Sequence, residues 1–189
     1  AGNLASEPEL ADLWHLSAGS SCRGAGSAAN TSGTDMDGQP WLSPPSIGCD
    51  EFYAGTITGP LSVSVQATYT TLATGFSVDF MGGIVGNAAA SRWEFGDGTV
   101  VSNRPSVSHA WSAAGDYAVA LRAYNDTNPG GVSATAIVHV VAQPVHYVAL
   151  GSSAAFPPYN SWATAATNIQ DAVDTATVTG ALVLVSNGV

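Results

Sequence analysis

Two carboxylates spaced two apart ahead of a glycine, Asp35-Met36-Asp37-Gly38, are the first arrangement in this chain that suggests chemistry. In a calcium loop such alternating carboxylates converge their oxygens on one hard cation. The further acidic positions and the distal Glu of an EF-hand are missing. The competing reading is therefore a turn whose Asp side chains accept backbone amide hydrogens. Asp97, between Gly96 and Gly98, admits the same two readings, and there the turn is preferred. Asp50 and Glu51 are adjacent, and neighbouring side chains on a strand leave opposite faces, so they do not make a glycosidase pair. His15, His109, His139 and His146 have no metal-ligand spacing among them, and no GxSxG, HExxH or phosphate loop occurs. No catalysis is expected within these residues. No cofactor is expected either, calcium at Asp35 and Asp37 being the one candidate.

Five tryptophans, Trp14, Trp41, Trp93, Trp111 and Trp162, offer rings on which a sugar can stack. Trp93 is assigned to a core, because Arg92 and Glu94 beside it mark the solvated face of its strand. Trp111 precedes the turn Ser112-Ala113-Ala114-Gly115, is expected to be partly exposed, and is the candidate glycan or protein contact. His109 shares a strand face with Val107 and Trp111 and reads as a hydrogen-bonded core or rim residue. Fourteen acidic side chains against four basic ones give a net charge of −10. Nucleic acid and anionic membrane both require clustered Lys and Arg, so neither is an expected partner. No run of eighteen apolar residues is present, and no membrane insertion is expected.

The elements that must hold these residues read mainly as β. Hydrophobic residues make up 46% of the chain, charged ones 10%, and 21 glycines punctuate it. Leu61 to Tyr69 alternates for a whole strand, and Phe76 to Phe80 repeats the alternation before Gly82-Gly83 and Gly86-Asn87 mark a turn region. Further strands are expected over Arg92–Phe95, Val107–Trp111, Tyr117–Tyr124 and Val132–Val141. The strand Tyr117–Tyr124, apolar on both faces apart from Arg122, is expected to be central. Strands with turn signals about every ten residues point to a sandwich.

The run Trp93-Glu94-Phe95-Gly96-Asp97-Gly98, then His109-Ala110-Trp111, then Gly115-Asp116-Tyr117 resembles the signature of a PKD domain, a small immunoglobulin-like β-sandwich of extracellular proteins. The resemblance runs from about Thr56 to Ala142 and assigns Trp93, Phe95, Gly96, Asp97, Gly98, His109, Trp111, Gly115 and Tyr117 to the architecture of that fold. Before it, Leu16 to Gly26, Thr34 to Gly38 and Ser46 to Glu51 look like the C-terminal end of a right-handed parallel β-helix. After it, Val145 to Ala149 reads as a short strand. Thr167 and Gln170 fit a capping box, and Ile169, Ala172, Val173 and Ala176 share one helix face. Gly180 ends that helix and Ala181–Val185 reads as a buried strand, an order similar to the opening of a pectin-lyase-like β-helix.

The expected fold is thus an immunoglobulin-like (PKD) β-sandwich of about seven strands, with incomplete β-helix flanks and one short C-terminal helix. Residues 1–55 would end one β-helix domain, 56–142 form the sandwich, and 143–189 cap a second β-helix. The chain starts at Ala1-Gly2-Asn3 and stops at Asn187-Gly188-Val189, within what reads as a strand, as an excerpt of a longer bacterial polypeptide would. In this extracellular setting Cys22 and Cys49, the only cysteines, form an even pair. A disulfide would close a loop of roughly 28 residues and stabilise it by about 3–4 kcal/mol; the alternative is two buried free thiols. The resemblance implies a non-catalytic spacer or interaction module of a secreted or surface-anchored protein. Its partners would be the neighbouring β-helix domains, with a polysaccharide or surface protein as a further contact. The alternative is the accessory region of a polysaccharide lyase or other carbohydrate-active enzyme whose active site lies on β-helix rungs outside this chain.

Overall fold

In the computed structural model, residues 4–187 are described. The strands are β1 (Ser62–Ala67), β2 (Thr71–Ala73), β3 (Val78–Val85), β4 (Ala90–Glu94), β5 (Val100–Ser102), β6 (Ser106–His109), β7 (Gly115–Tyr124), β8 (Val132–Val141), β9 (Val145–Val148) and β10 (Leu182–Val185), with the helix α1 (Ile169–Thr175) before the last. Three strands form one sheet in the order β1-β3-β6, and five form a second in the order β2-β8-β7-β4-β5. β9 and β10 make a separate pair. The fold is mainly β, a β-sandwich, as its alternating strands imply. β7 lies between β8 and β4, as its two apolar faces require. β2 and β5 were not anticipated; at three residues each they are too short to display an alternation.

The chain divides into two compact units. The first comprises Ala1–Ala67, Phe80–Val107 and Ala118–Ala136. Within it β1 pairs antiparallel with β3, and β4 pairs antiparallel with both β5 and β7. Its core is aromatic. Phe80 from β3 meets Trp93 from β4 and the following Phe95, each at a centroid distance of 6.0 Å, and Trp93 and Phe95 lie nearly parallel. All three rings are buried. Gly82 and Gly83 do not mark a turn as expected but lie inside β3. A Cβ at Gly82 would stand 2.4 Å from Leu121 and 3.0 Å from Trp93, so the strand needs glycine there to pass the core. Gly86, with φ of 100° and Pro60 O 2.1 Å from where a Cβ would sit, does make the turn.

Among the described residues, the N-terminal part of this unit contributes no strand of the two sheets. Ala11 packs into a small cluster with Ala88 and Ala123, flanked by Leu61, Val63 and Ile84. The rest is held by buried carboxylates that accept backbone amides. Asp35 takes those of Asp37 and Gln39 on one oxygen and that of Glu51 on the other. Glu51 in turn accepts from Leu42 and Ser46 amides and from the Ser46 hydroxyl. A loop without periodic structure thus satisfies its amides internally.

The second unit comprises Thr68–Asp79, Ser108–Tyr117 and Ile137–Val189. β2 runs parallel to β8, and β10 runs parallel to β9. Val148, Tyr159, Ala166 and Ala172 form its small apolar cluster, with Val183 against it. The helix cap differs from the expected box by one position: Asn168, not Thr167, caps α1 by accepting the Asp171 amide. Asn favours that position as strongly as any residue, and Asp171 adds its charge to the first turn. Of the expected helix face only Ala172 is buried; Ile169 and Val173 are exposed. The segment before β10 joins the edge strand β2, where Ala73 donates to Thr179 O at 2.8 Å.

Candidate functional site

The motif that stood out in the sequence builds the sandwich. Trp93 and Phe95 are core rings. Gly96 and Gly98 both have positive φ, and Asp97 between them accepts the Thr99 amide at 2.9 Å, closing the turn from β4 to β5. Arg92 and Glu94 pair with each other on the outer face. Trp111 corrects an expectation: it is 1% exposed, not partly open. His109 meets its edge at 4.7 Å, Tyr117 stacks on it at 5.1 Å, and Tyr117 donates its hydroxyl to Ala113 O, just ahead of Gly115. Three aromatic residues thus shield one another, and Trp111 offers no face to a sugar. The exposed tryptophans are Trp14 and Trp162.

The expected Cys22–Cys49 disulfide is likewise corrected: both cysteines are free. Cys22 is buried in the turn of residues 20–25, whereas Cys49 is exposed with its sulfur against Met36 Sδ at 3.7 Å. The loop carboxylates, not a covalent bridge, tie this segment together.

A second site gathers a local pair, Asp12 and His15, with residues from farther along the chain. Asp12 is buried, accepts the amides of Trp14 and His15, and takes His15 Nδ1 at 2.7 Å. That bond fixes the imidazole plane and turns Nε2 toward Asp37, whose Oδ2 is 3.2 Å away. The approach lies outside hydrogen-bonding geometry, so Nε2 is buried without a satisfied partner. Asp50 completes the group, with one oxygen held by the Leu16 amide at 2.8 Å. His15, Asp37 and Asp50 present donor atoms that all lie within 4.8 Å of one another. They line a cleft of about 100 Å³ together with Gln39, Glu51 and Tyr53.

Charge in this cleft is lopsided. The His15 pKa is raised to about 9, first by its bond to Asp12, against the opposing effect of burial, and further by the charges of Asp12, Asp37 and Asp50. Burial pushes the Asp50 carboxyl up, which the Leu16 amide and His15 partly offset. Of the calcium pair, Asp35 is occupied by three amides while Asp37 faces His15. Asp50 and Glu51 lie in a loop rather than on a strand, each bound to different amides. Sequence reading missed His15 and Asp12 as parts of a site. An Asp three residues before a His was the available signal.

The fold and its motif define an immunoglobulin-like sandwich. Residues 62–142 match the model of the PKD domain family. No curated protein matches the chain. Among solved structures, one similar chain comes from work on the promiscuous specificity of carbohydrate-binding modules of the β-sandwich superfamily: it is 19% identical, covers 52% of this chain and 40% of its own, and has a TM-score of 0.42. The PKD1 domain of Vibrio anguillarum Epp is 20% identical over 44% of this chain and 96% of its own, with a TM-score of 0.37. The PKD domain of the human VPS10 domain-containing receptor SorCS2 is 22% identical over 62% and 95%, with a TM-score of 0.34. Among the described residues, no helix is long and apolar enough to cross a membrane.

Proposed function

We propose that this chain is a non-catalytic spacer and interaction module of a large secreted or surface-anchored bacterial protein. The observation that carries the reading is how the residues of the PKD match are used. Trp93, Phe95, Trp111 and Tyr117 pack with one another or with Phe80, and Asp97 closes a turn. Side chains committed to packing leave a stiff body whose role is mechanical or adhesive. Residues 1–55 and 143–189 are, in this reading, the end of one parallel β-helix and the start of another. The parallel pairing of β9 with β10 and the exposed Leu182, Leu184 and Val185 support it, because a solenoid stacks parallel strands and leaves its growing face apolar. Contact with a glycan or surface protein falls to exposed rings such as Trp162, which meets Tyr147 edge-on at 4.6 Å.

The test has two arms. An antibody raised against this chain should label intact, unpermeabilised cells that make the protein; labelling only after permeabilisation overturns the extracellular placement. Purified chain should leave polysaccharide substrates uncleaved, and depolymerisation by the chain itself overturns the non-catalytic assignment.

A further inference from the structure

We propose that His15, Asp37 and Asp50 form a binding site for one divalent transition-metal ion, zinc by the chemistry of its donors. One imidazole nitrogen and two carboxylate oxygens suit zinc, whereas calcium takes oxygen ligands almost without exception.

Three features of the cleft converge on this. The donor atoms of the three residues already lie within 4.8 Å of one another, although they come from separate parts of a loop-rich segment. Nε2 of His15 is buried, makes no satisfied hydrogen bond, and points at Asp37 Oδ2 at 3.2 Å. A pair of ligands on one zinc ion, each about 2.0–2.2 Å from it, stands at about that separation. Finally, His15 Nδ1 is held by Asp12 at 2.7 Å, and Asp12 is itself fixed by two amides. Metal-bound histidines are oriented in this way, with the ring nitrogen that does not bind the metal donating to a carboxylate. Asp12 is therefore a positioning residue, and His15, Asp37 and Asp50 are the ligands. A water molecule from the cleft would fill the fourth place of a tetrahedral site.

The ion has a structural task available to it. Residues 12–51 close on themselves through carboxylate-to-amide bonds, and their two cysteines are free. A zinc ion joining His15, Asp37 and Asp50 would crosslink three points of that loop.

The experiment uses the full chain, stripped with chelator and titrated with zinc chloride by calorimetry, alongside calcium chloride. One zinc ion per chain is expected, with a large shift of the His15 imidazole ¹⁵N signals on binding. Asp37→Asn is the main variant, because Asp37 is exposed and its side chain holds no backbone; it should weaken zinc binding at least tenfold. His15→Gln should do the same, while His139→Gln, at the separate His139–Asp116 pair, should not. Absence of zinc uptake, or uptake unchanged in both Asp37→Asn and His15→Gln, overturns the site. Uptake of calcium in preference to zinc overturns the imidazole as a ligand.

Discussion

The indole Nε1 of Trp93 donates to the backbone carbonyl of Arg104 at 2.9 Å, while the ring that carries it has no exposed surface. One side chain therefore does two things: it fills the aromatic core with Phe80 and Phe95, and it ties the segment between β5 and β6 to β4. Both losses fall together when the ring is removed.

Trp93→Ala should cost about 3–5 kcal/mol of stability, the range for deleting a large buried ring. Trp93→Phe keeps much of the volume but leaves the Arg104 carbonyl without its donor, and should cost about 1–3 kcal/mol. Urea unfolding followed by circular dichroism separates the two. A loss below about 1 kcal/mol for the alanine variant would contradict the burial of this ring.

The core was legible because its residues announce themselves locally. An aromatic at every second position beside charged residues identifies one buried strand face, and Gly-Asp-Gly identifies the turn that follows. The centrality of β7 was readable for the same reason, from apolar side chains on both faces. Gly82 and Gly83 misled because a glycine required by close packing looks the same in sequence as one required by a turn. Trp111 misled because its cover comes from Tyr117, across the turn at Gly115. The cleft around His15 was illegible for a deeper reason. Asp37 and Asp50 follow His15 by 22 and 35 positions in a segment without period, where only the tertiary path of the loop brings them to one imidazole.

Denatured protein should show two reactive thiols before any reductant is added, and two after. In the native state Cys49 should react first, since it is exposed and Cys22 is buried. Zero thiols before reduction would restore a disulfide between them.

Stability should fall as pH rises through the slightly alkaline range in chelator-treated protein. His15 has a folded pKa of about 9, above its ordinary value of 6.5, so the folded state holds its proton more tightly than the unfolded chain does. Its contribution is complete below pH 6.5 and is lost between there and about 9. The cleft is partly open to solvent, so the loss should be on the order of 2 kcal/mol after screening. Urea midpoints measured across this window should slope downward in the parent chain and stay nearly flat in His15→Gln. A parallel slope in both would place the titration elsewhere.

Hydrogen exchange should separate β7 from β10. β7 is flanked on both sides by β8 and β4, and Val119, Leu121 and Ala123 along it are buried, so its amides open only when the sheet does. β10 has β9 as its one neighbour among the described residues, and Leu182, Leu184 and Val185 are exposed. Against that pair pack α1, the 3-10 turn at Trp162–Thr164 and the small cluster around Val148, Tyr159, Ala166 and Ala172, a thinner support than the sheet gives β7. Amides of Leu182–Val185 should therefore exchange orders of magnitude faster than those of Val119–Ala123. Equal protection would mean that β10 opens only with the sandwich, and would remove the support that its exposed edge gives to the solenoid reading of residues 143–189.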